Sequence, residues 1–187
     1  MRNLAILAAA LLAGCAIAPH KTTHRLAFDD GICSGTAVGR HTLLSASHCF
    51  AGEHSLSVDG NPVEVIKIIT DGADHALVTV SVTFEDVAVR GQLAHVGDHV
   101  YYWGNPAGIA DMYREGYVSG VWVIGGKSIT LLSANGFFGD SGAGVFDTHG
   151  QLIGVVSVMY QTASGGYLKF MGLYPLKFTA AQWASIR

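Results

Sequence analysis

Short segments with β-strand character follow one another along most of the chain, and turn signals separate them at close intervals. Asn61-Pro62 and Asp71-Gly72 are examples of such turn signals. The β-type segments span residues 35–38, 42–45, 55–58, 63–69 and 76–82 in the first half, and 99–103, 113–124, 128–133, 144–146, 152–159 and 167–171 in the second. Many short strands at this spacing predict an all-β sandwich or barrel.

Length and charge limit what such a fold can do. The chain has 187 residues and is 50% hydrophobic, which suffices for one good core or for two small subdomains that share an interface. The formal net charge is -3, and the sequence has no cluster of Lys or Arg that could neutralise phosphates. The composition therefore argues against a nucleic-acid-binding protein.

A serine flanked by glycines lies in the segment Gly139-Asp140-Ser141-Gly142. A serine hydroxyl is a poor nucleophile until a base takes its proton, and the oxyanion formed in acyl transfer needs backbone N–H donors close by. Glycines can supply such donors in conformations that other residues resist. The segment alone also has a simpler interpretation, because Gly, Asp and Ser form ordinary tight turns.

Partners for this serine lie upstream, where His48 follows one apolar run and Asp74 opens another. The chain order His48, Asp74, Ser141 is that of chymotrypsin-type hydrolases. The α/β-hydrolases run Ser, Asp or Glu, His, and the subtilisins run Asp, His, Ser. Asp71 is a rival for the role of Asp74.

Four motifs, taken in order, resemble those of the trypsin-like, chymotrypsin-fold serine proteases. They are Cys33-Ser34-Gly35-Thr36-Ala37-Val38, Ser45-Ala46-Ser47-His48-Cys49, Asp74-His75-Ala76-Leu77-Val78 and Gly139-Asp140-Ser141-Gly142. The resemblance implies an all-β fold of two six-stranded antiparallel β-barrels with the active cleft between them. A short helix is expected at the C-terminus, where Thr179 and Gln182 have the spacing of a capping box.

By this resemblance the protein is a serine endopeptidase that cleaves peptide bonds through an acyl-enzyme. Ser141 is then the nucleophile, His48 the general base, and Asp74 the residue that orients the imidazole. The family motif places this aspartate just before an apolar run, which favours Asp74 over Asp71. The N–H groups of Gly139 and Ser141 would form the oxyanion hole. The partner would be a protein or peptide substrate, and no cofactor or metal is expected.

The resemblance also places the walls of a substrate pocket at Asn135, at Ser157 and Met159, and at Gly165 on the far side. Because no acidic residue stands at Asn135, a preference for Lys or Arg before the cleaved bond is not expected. Met159 would narrow the pocket, which indicates small or apolar substrate side chains.

Alternative functions stay open at this point. The fold could serve as a catalytically silent binding module in the cell envelope, or the same triad could hydrolyse esters. Asp140 raises a further question, because digestive relatives pair the equivalent aspartate with a newly cut N-terminus and this sequence names no partner for it. The oligomeric state is not indicated, and a monomer is the default expectation.

The first residues have the pattern of an export signal. A short positive start precedes an apolar run from Leu4 to Ala13, which is too short to span a bilayer and is typical of a secretory signal. The run ends in Leu12-Ala13-Gly14-Cys15, which resembles the bacterial lipobox, where the cysteine is lipidated. The alternative is a plain signal peptide that ends near a cysteine.

This interpretation divides the chain into a signal peptide over residues 1–14, a lipidated tether over 15–29 and the protease domain over 30–187. Lipid on Cys15 would attach the protein to a membrane. Ala16 follows the cysteine where an aspartate would resemble an inner-membrane retention signal, so we expect the outer membrane, facing the periplasm or the cell surface. Without lipid, the protein would be secreted.

The remaining cysteines, Cys33 and Cys49, would pair in an oxidising compartment. In the resembled family a disulfide between these motif positions staples the loop that carries the histidine. A loop of this size would stabilise the fold by about 3 kcal/mol in the chain-entropy model. The alternative is a pair of free buried thiols.

Overall fold

Each half of the chain folds into a seven-stranded antiparallel sheet. The computed structural model describes residues 18–52, 55–161 and 169–186. The first sheet has the order β5-β4-β1-β2-β3-β7-β6 and consists of β1 Thr23–Ala27, β2 Ile32–Gly39, β3 Thr42–Ala46, β4 Leu56–Val58, β5 Asn61–Val63, β6 Val65–Thr70 and β7 His75–Val80.

The second sheet has the order β12-β11-β8-β9-β10-β14-β13. Its strands are β8 His99–Gly104, β9 Met112–Ile124, β10 Lys127–Leu132, β11 Gly144–Asp147, β12 Leu152–Val155, β13 Val158–Gln161 and β14 Lys169–Leu173. Single-turn 3-10 helices cover Pro19–Thr22, Ser47–Phe50 and Pro106–Gly108, and the α-helix α1 covers Ala180–Ala184.

The apolar core has three parts. One cluster, which includes Leu26 and Leu43, packs within the first sheet, and another, which includes Tyr102 and Leu132, packs within the second. The third cluster joins both halves with the C-terminal segment, and it includes Leu44, Phe146, Phe178 and Ile186. Burial of apolar side chains from both halves in one cluster holds the two sheets together.

The expectation of six strands per barrel is wrong, because each sheet has seven strands within the described residues alone. In the first sheet, the polar strand β1 and the short edge strand β5 lacked a strand-like sequence pattern. In β1 only Thr23 and Leu26 are buried. In the second sheet, the apolar run 152–159 divides into β12 and β13, because β12 pairs with β11 while β13 pairs with β14.

The boundary of the folded domain lies earlier than residue 30. β1 begins at Thr23 and pairs with both β2 and β4, so part of the segment expected as a tether belongs to the first sheet. The signal peptide expected over residues 1–14 and the lipid expected on Cys15 lie outside the described residues. None of the helices in the described part of the chain is long and apolar enough to cross a membrane.

Two local predictions are confirmed. Thr179 caps α1 with a complete capping box, since its hydroxyl accepts from Gln182 N and the Gln182 side chain accepts from Thr179 N. Cys33 and Cys49 form a disulfide that joins β2 to the 3-10 helix Ser47–Phe50. This covalent link fixes the turn that carries His48.

Candidate active site

Strand pairing brings His48 and Asp74 together. β3 and β7 are antiparallel neighbours in which Ala46 lies opposite His75, so the residues just after β3 face the residue just before β7. Ser47 N donates to the backbone oxygen of Asp74 at 3.0 Å and extends the pairing to the turn. The backbone that leads into His48 is therefore held in place, and this positions the His48 side chain.

The Asp74 carboxylate holds the His48 imidazole in one orientation. His48 Nδ1 lies 2.9 Å from Oδ2 and 3.1 Å from Oδ1, while His48 N and Ser47 Oγ each donate to Oδ1 at 3.0 Å. Burial by itself raises the pKa of Asp74, but these hydrogen bonds and the charge of His48 outweigh it and lower the pKa. Because the carboxylate only accepts, Nδ1 carries the proton and Nε2 is left as the basic nitrogen.

Asp71, the rival for this orienting role, contacts a different histidine. Its Oδ2 lies 2.7 Å from Nδ1 of His75, and both side chains are fully buried. Of the two aspartates in this turn, Asp74 is therefore the one that contacts His48.

The glycines around Ser141 are required by close approach and by backbone conformation. Gly139 has φ +105°, and a Cβ there would lie 2.2 Å from the backbone oxygen of Asn105. Gly142 has φ +86°, and a Cβ there would lie 2.1 Å from the backbone oxygen of Ser34. A residue with a side chain would be strained at both positions, so this segment can keep its shape only with glycine.

Ser34 of β2 attaches the Ser141 loop to the first sheet. Ser34 N donates to the backbone oxygen of Ser141 at 2.7 Å, and Ser34 Oγ donates to that of Gly139 at 2.8 Å. Asn105 Nδ2 donates to the same Ser34 hydroxyl at 2.8 Å, and Ser45 Oγ donates to the Ser34 carbonyl at 2.7 Å. The loop that carries Ser141 is thus positioned by buried groups of the half that carries His48.

Free backbone donors flank Ser141. Within residues 18–52, 55–161 and 169–186, the N–H groups of Gly139 and Ser141 donate to no protein acceptor. The Phe138 carbonyl accepts from Ala107 N at 2.7 Å. Since a trans peptide is planar, the N–H of Gly139 in the same peptide points to the side opposite this contact. These N–H groups are therefore available to a ligand.

His48 and Ser141 line the same cavity, whose volume is about 420 Å³. In the part of the chain that the structure describes, Ser141 Oγ makes no hydrogen bond to His48, a contact that often forms only when substrate binds. The cavity is mainly apolar and is lined by His48, Phe137, Phe138, Ser141, Val156, Ser157, Val158, Met159 and Met171.

The residues expected for the substrate pocket separate into three groups. Ser157 and Met159 line the cavity. Asn135 is exposed and is not among the described residues that line it; its carbonyl accepts from Tyr102 OH at 2.6 Å. Gly165 lies outside the described residues. Met171 also forms part of the wall, and sequence reasoning missed it because β14 is adjacent to the cavity only through sheet pairing.

Asp140 is fully buried, and Arg114 of β9 is a partner that the sequence did not name. Asp140 Oδ2 accepts from Phe137 N at 2.8 Å and lies 3.6 Å from Arg114 Nε. Burial raises the pKa of Asp140, and the Phe137 hydrogen bond and the Arg114 charge lower it without outweighing burial. Among the described residues, Oδ1 has no hydrogen-bond partner. The carboxylate is therefore only partly compensated.

One group of potential metal ligands lies at the site. His48, Cys33 and Cys49 place their ligand atoms within 4.8 Å of one another. Both cysteine sulfurs are joined in the disulfide, so they offer no thiolate to a metal ion. The chemistry of this donor set therefore does not fit a resident metal.

A family model for the trypsin-like peptidase domain matches residues 33–155. The chain belongs to this family. The matched range contains His48, Asp74 and Ser141, and it ends at the last residue of β12. This trypsin-like peptidase is thereby assigned to the hydrolases. A search of curated proteins by sequence gave no match.

Solved structures share the fold of this peptidase. The active form of the Rv3671c protease from M. tuberculosis gives a TM-score of 0.74 at 16% identity, covering 90% of this chain and 82% of that one. The inactive form of a serine-to-alanine mutant of Rv3671c gives 0.73 at 18% identity, covering 98% and 96%. The HtrA-type protease AlgW with a tripeptide gives 0.72 at 21% identity, covering 87% and 58%. At these identities the likeness concerns the fold, which is of the chymotrypsin type.

Proposed function

We propose that this peptidase is a serine endopeptidase that uses Ser141, His48 and Asp74 as a catalytic triad. The observation that carries the proposal is the position of His48, whose Nδ1 is held by Asp74 at 2.9 Å while its side chain lines the cavity that Ser141 also lines. An oriented imidazole beside a serine with free N–H donors is the arrangement that acyl transfer requires.

In the proposed reaction, Ser141 Oγ attacks the carbonyl carbon of the scissile peptide bond, and His48 Nε2 accepts the hydroxyl proton. Asp74 stabilises the imidazolium, which then protonates the leaving amine. Water enters next, gives a proton to His48 and hydrolyses the acyl-enzyme, which restores the Ser141 hydroxyl. The disulfide and the hydrogen bonds of Asp74 keep the base in place through both halves of the reaction.

The N–H groups of Gly139 and Ser141 would stabilise the oxyanion. Neither donor is used within the described residues, so binding of the oxyanion would break no existing hydrogen bond. Loss of one such donor costs about 3 to 4 kcal/mol of transition-state stabilisation in related chemistry. The left-handed backbone of Gly139 is therefore part of the proposed catalytic arrangement.

Labelling with a fluorophosphonate tests the assignment. We expect one covalent adduct on Ser141 by intact mass and peptide mapping, and its absence in Ser141→Ala and His48→Ala. His149→Ala changes an exposed histidine in a turn and should label like the parent. Absence of an adduct on the folded parent would contradict the proposal and favour the silent binding module. Hydrolysis of esters without hydrolysis of any peptide would favour the esterase.

The proposed substrate preference is an apolar side chain before the cleaved bond. Met159 and Met171 lie opposite each other in β13 and β14, and both line the cavity with Val156 and Val158. A charged side chain would lose hydration there without gaining an ion pair. A peptide library should show Leu, Met or Ala before the cut, and strong selection of Lys or Arg would contradict this assignment.

We also propose that the protein is an outer-membrane lipoprotein anchored through Cys15. The support is the sequence Leu12-Ala13-Gly14-Cys15 after a short apolar run. Expression of the full chain in a Gram-negative host should give a lipid-modified N-terminal peptide by mass spectrometry, and Cys15→Ser should release the protein in soluble form. An unmodified mature N-terminus would support secretion instead.

A further inference from the structure

Asp71 and His75 form a second aspartate–histidine pair next to the proposed triad. They lie at the two ends of the β6–β7 turn, and Asp74 lies between them in the same turn. His75 Nδ1 is 2.7 Å from Asp71 Oδ2, and both side chains are fully buried. In the described part of the chain, His75 Nε2 has no hydrogen-bond partner, so the pair with Asp71 is the polar contact of this buried ring.

The Asp71 carboxylate uses both oxygens to close the turn. Oδ1 accepts from Ala73 N at 2.8 Å and from His75 N at 3.2 Å, while Oδ2 accepts from His75 Nδ1 and from Lys177 N at 2.8 Å. Burial by itself raises the pKa of Asp71, but these hydrogen bonds outweigh it and lower the pKa from 3.8 to about 2. The carboxylate therefore stays ionised and hydrogen-bonded.

The backbone of Asp74 needs such a restraint. Its φ is +73°, in the left-handed region that residues with a side chain seldom adopt. Such a conformation persists only where the surrounding structure fixes it. The hydrogen bonds of Asp71 fix the residues on both sides, Ala73 and His75, so they hold Asp74 in the conformation from which its carboxylate reaches His48.

We propose that Asp71 and His75 are positioning residues for Asp74, and that Lys177 N links this turn to the C-terminal segment that leads into α1. The inference rests on the proposed function, because it needs Asp74 to act through His48. Phe178, next to Lys177, lies with its ring centroid 6.4 Å from that of His75 and packs in the cluster that joins both sheets. The orientation of the triad thus depends on the packing of the C-terminus.

The chain provides a matched control in His24 and Asp59. Their side chains are also 2.7 Å apart, Asp59 also has a left-handed backbone with φ +51°, and its Oδ1 accepts from Arg25 N at 2.8 Å. This pair braces the turn between β4 and β5, and within the described residues no hydrogen bond or ion pair joins it to His48, Asp74 or Ser141. Asp59 is half-exposed, so this pair reports the effect of losing a less buried aspartate–histidine contact elsewhere in the first sheet.

The experiment compares Asp71→Asn and His75→Leu with Asp59→Asn and His24→Leu in the soluble chain from residue 16. The measured quantity is the second-order rate of fluorophosphonate labelling of Ser141, taken well below the melting temperature of each variant. We expect a fall of at least about tenfold for the Asp71 and His75 variants, because small misplacements of catalytic groups have large effects on rate. The control variants should stay within about twofold of the parent.

A structural role alone would give another result, in which Asp71→Asn melts at lower temperature but labels at the parental rate, and this result would overturn the proposal. Lys177→Pro removes a single N–H donor to Asp71 and keeps the test valid if Asp71→Asn does not fold; it should slow labelling at least about twofold. A parent that does not label Ser141 would refute the proposed function first, and the positioning role with it.

Discussion

Asp71 and Asp140 are both fully buried carboxylates beside the candidate active site, and their surroundings shift their pKa values in opposite directions. Asp71 accepts hydrogen bonds on both oxygens, and its pKa is lowered to about 2. Asp140 accepts one backbone N–H, lies 3.6 Å from Arg114 Nε, and has a raised pKa. Hydrogen bonds on both oxygens compensate the buried charge of Asp71, whereas the charge of Asp140 is compensated only in part.

This difference separates the two halves of the site. The half that carries His48 and Asp74 is fixed by strand pairing, a disulfide and the Asp71 hydrogen bonds. The loop that carries Ser141 is held from outside by Ser34 of the first sheet and by Arg114 of β9, which lies beside the buried Asp140 of the loop. We infer that the base is preorganised by its own sheet together with the C-terminal segment at Lys177, whereas the geometry of the nucleophile depends on contacts between the two sheets.

The largest effect is expected from Gly104→Ala, which acts on the half of the site that carries Ser141. A Cβ at Gly104 would lie 2.1 Å from Asp140 Oδ1, so the carboxylate and the loop next to Ser141 must move. Activity should fall about a hundredfold. Gly120→Ala in β9 is the control, because its Cβ would meet nothing within 4 Å. Equal activity of Gly104→Ala and the parent in a peptide-cleavage assay would show that Asp140 does not position the nucleophile.

Removal of the Cys33–Cys49 disulfide acts on the half of the site that carries His48 and Asp74. The double variant Cys33→Ser, Cys49→Ser should lose about 3 kcal/mol of unfolding free energy, since the linked residues are 16 apart in sequence. Guanidinium unfolding with and without reductant measures this loss. A variant as stable as the oxidised parent would show that the disulfide between Cys33 of β2 and Cys49, next to His48, is not needed for the fold.

The pH dependence of Asp71→Asn should reveal the well-compensated carboxylate. Because its folded pKa is lowered from 3.8 to about 2, Asp71 contributes stability that is present above 3.8 and is lost as the pH falls towards 2. The free energy of unfolding of the parent should exceed that of the variant by about 2 kcal/mol near neutral pH, and this difference should disappear in acid. Urea unfolding across this range tests it, and a gap independent of pH would contradict the ionised pair.

Arg114→Gln should give the smallest effect, and the loss of unfolding free energy that it causes should also shrink in acid. Asp140 has a raised pKa, so its contribution to stability is fully present below 3.8 and is lost as the pH rises through its folded pKa. Loss of the Arg114 cation should lower the free energy of unfolding by about 1 kcal/mol near neutral pH and by less in acid, where Asp140 is protonated. The same urea series measures it. A loss that grows in acid would mean that Arg114 acts on another group.

Much of the fold and of the candidate site could be predicted because it depends on local sequence. The capping box of Thr179 and Gln182 and the turns at Gly139 and Gly142 follow from residues a few positions apart. The apolar runs predicted most strands, since alternation and turn residues are local signals. The polar β1 was missed because pairing with β2 and β4, and not its own pattern, makes it a strand.

The sequence by itself determined the family, the chain order of His48, Asp74 and Ser141, and the disulfide partners, because motif residues carry these in short segments. Only the tertiary structure decided which groups hold those residues. Ser34 reaches Gly139 across 105 positions, and Asp71 reaches Lys177 across 106. Such contacts join different strands and sheets, so their partners are fixed by the packing of the whole chain and leave no local pattern.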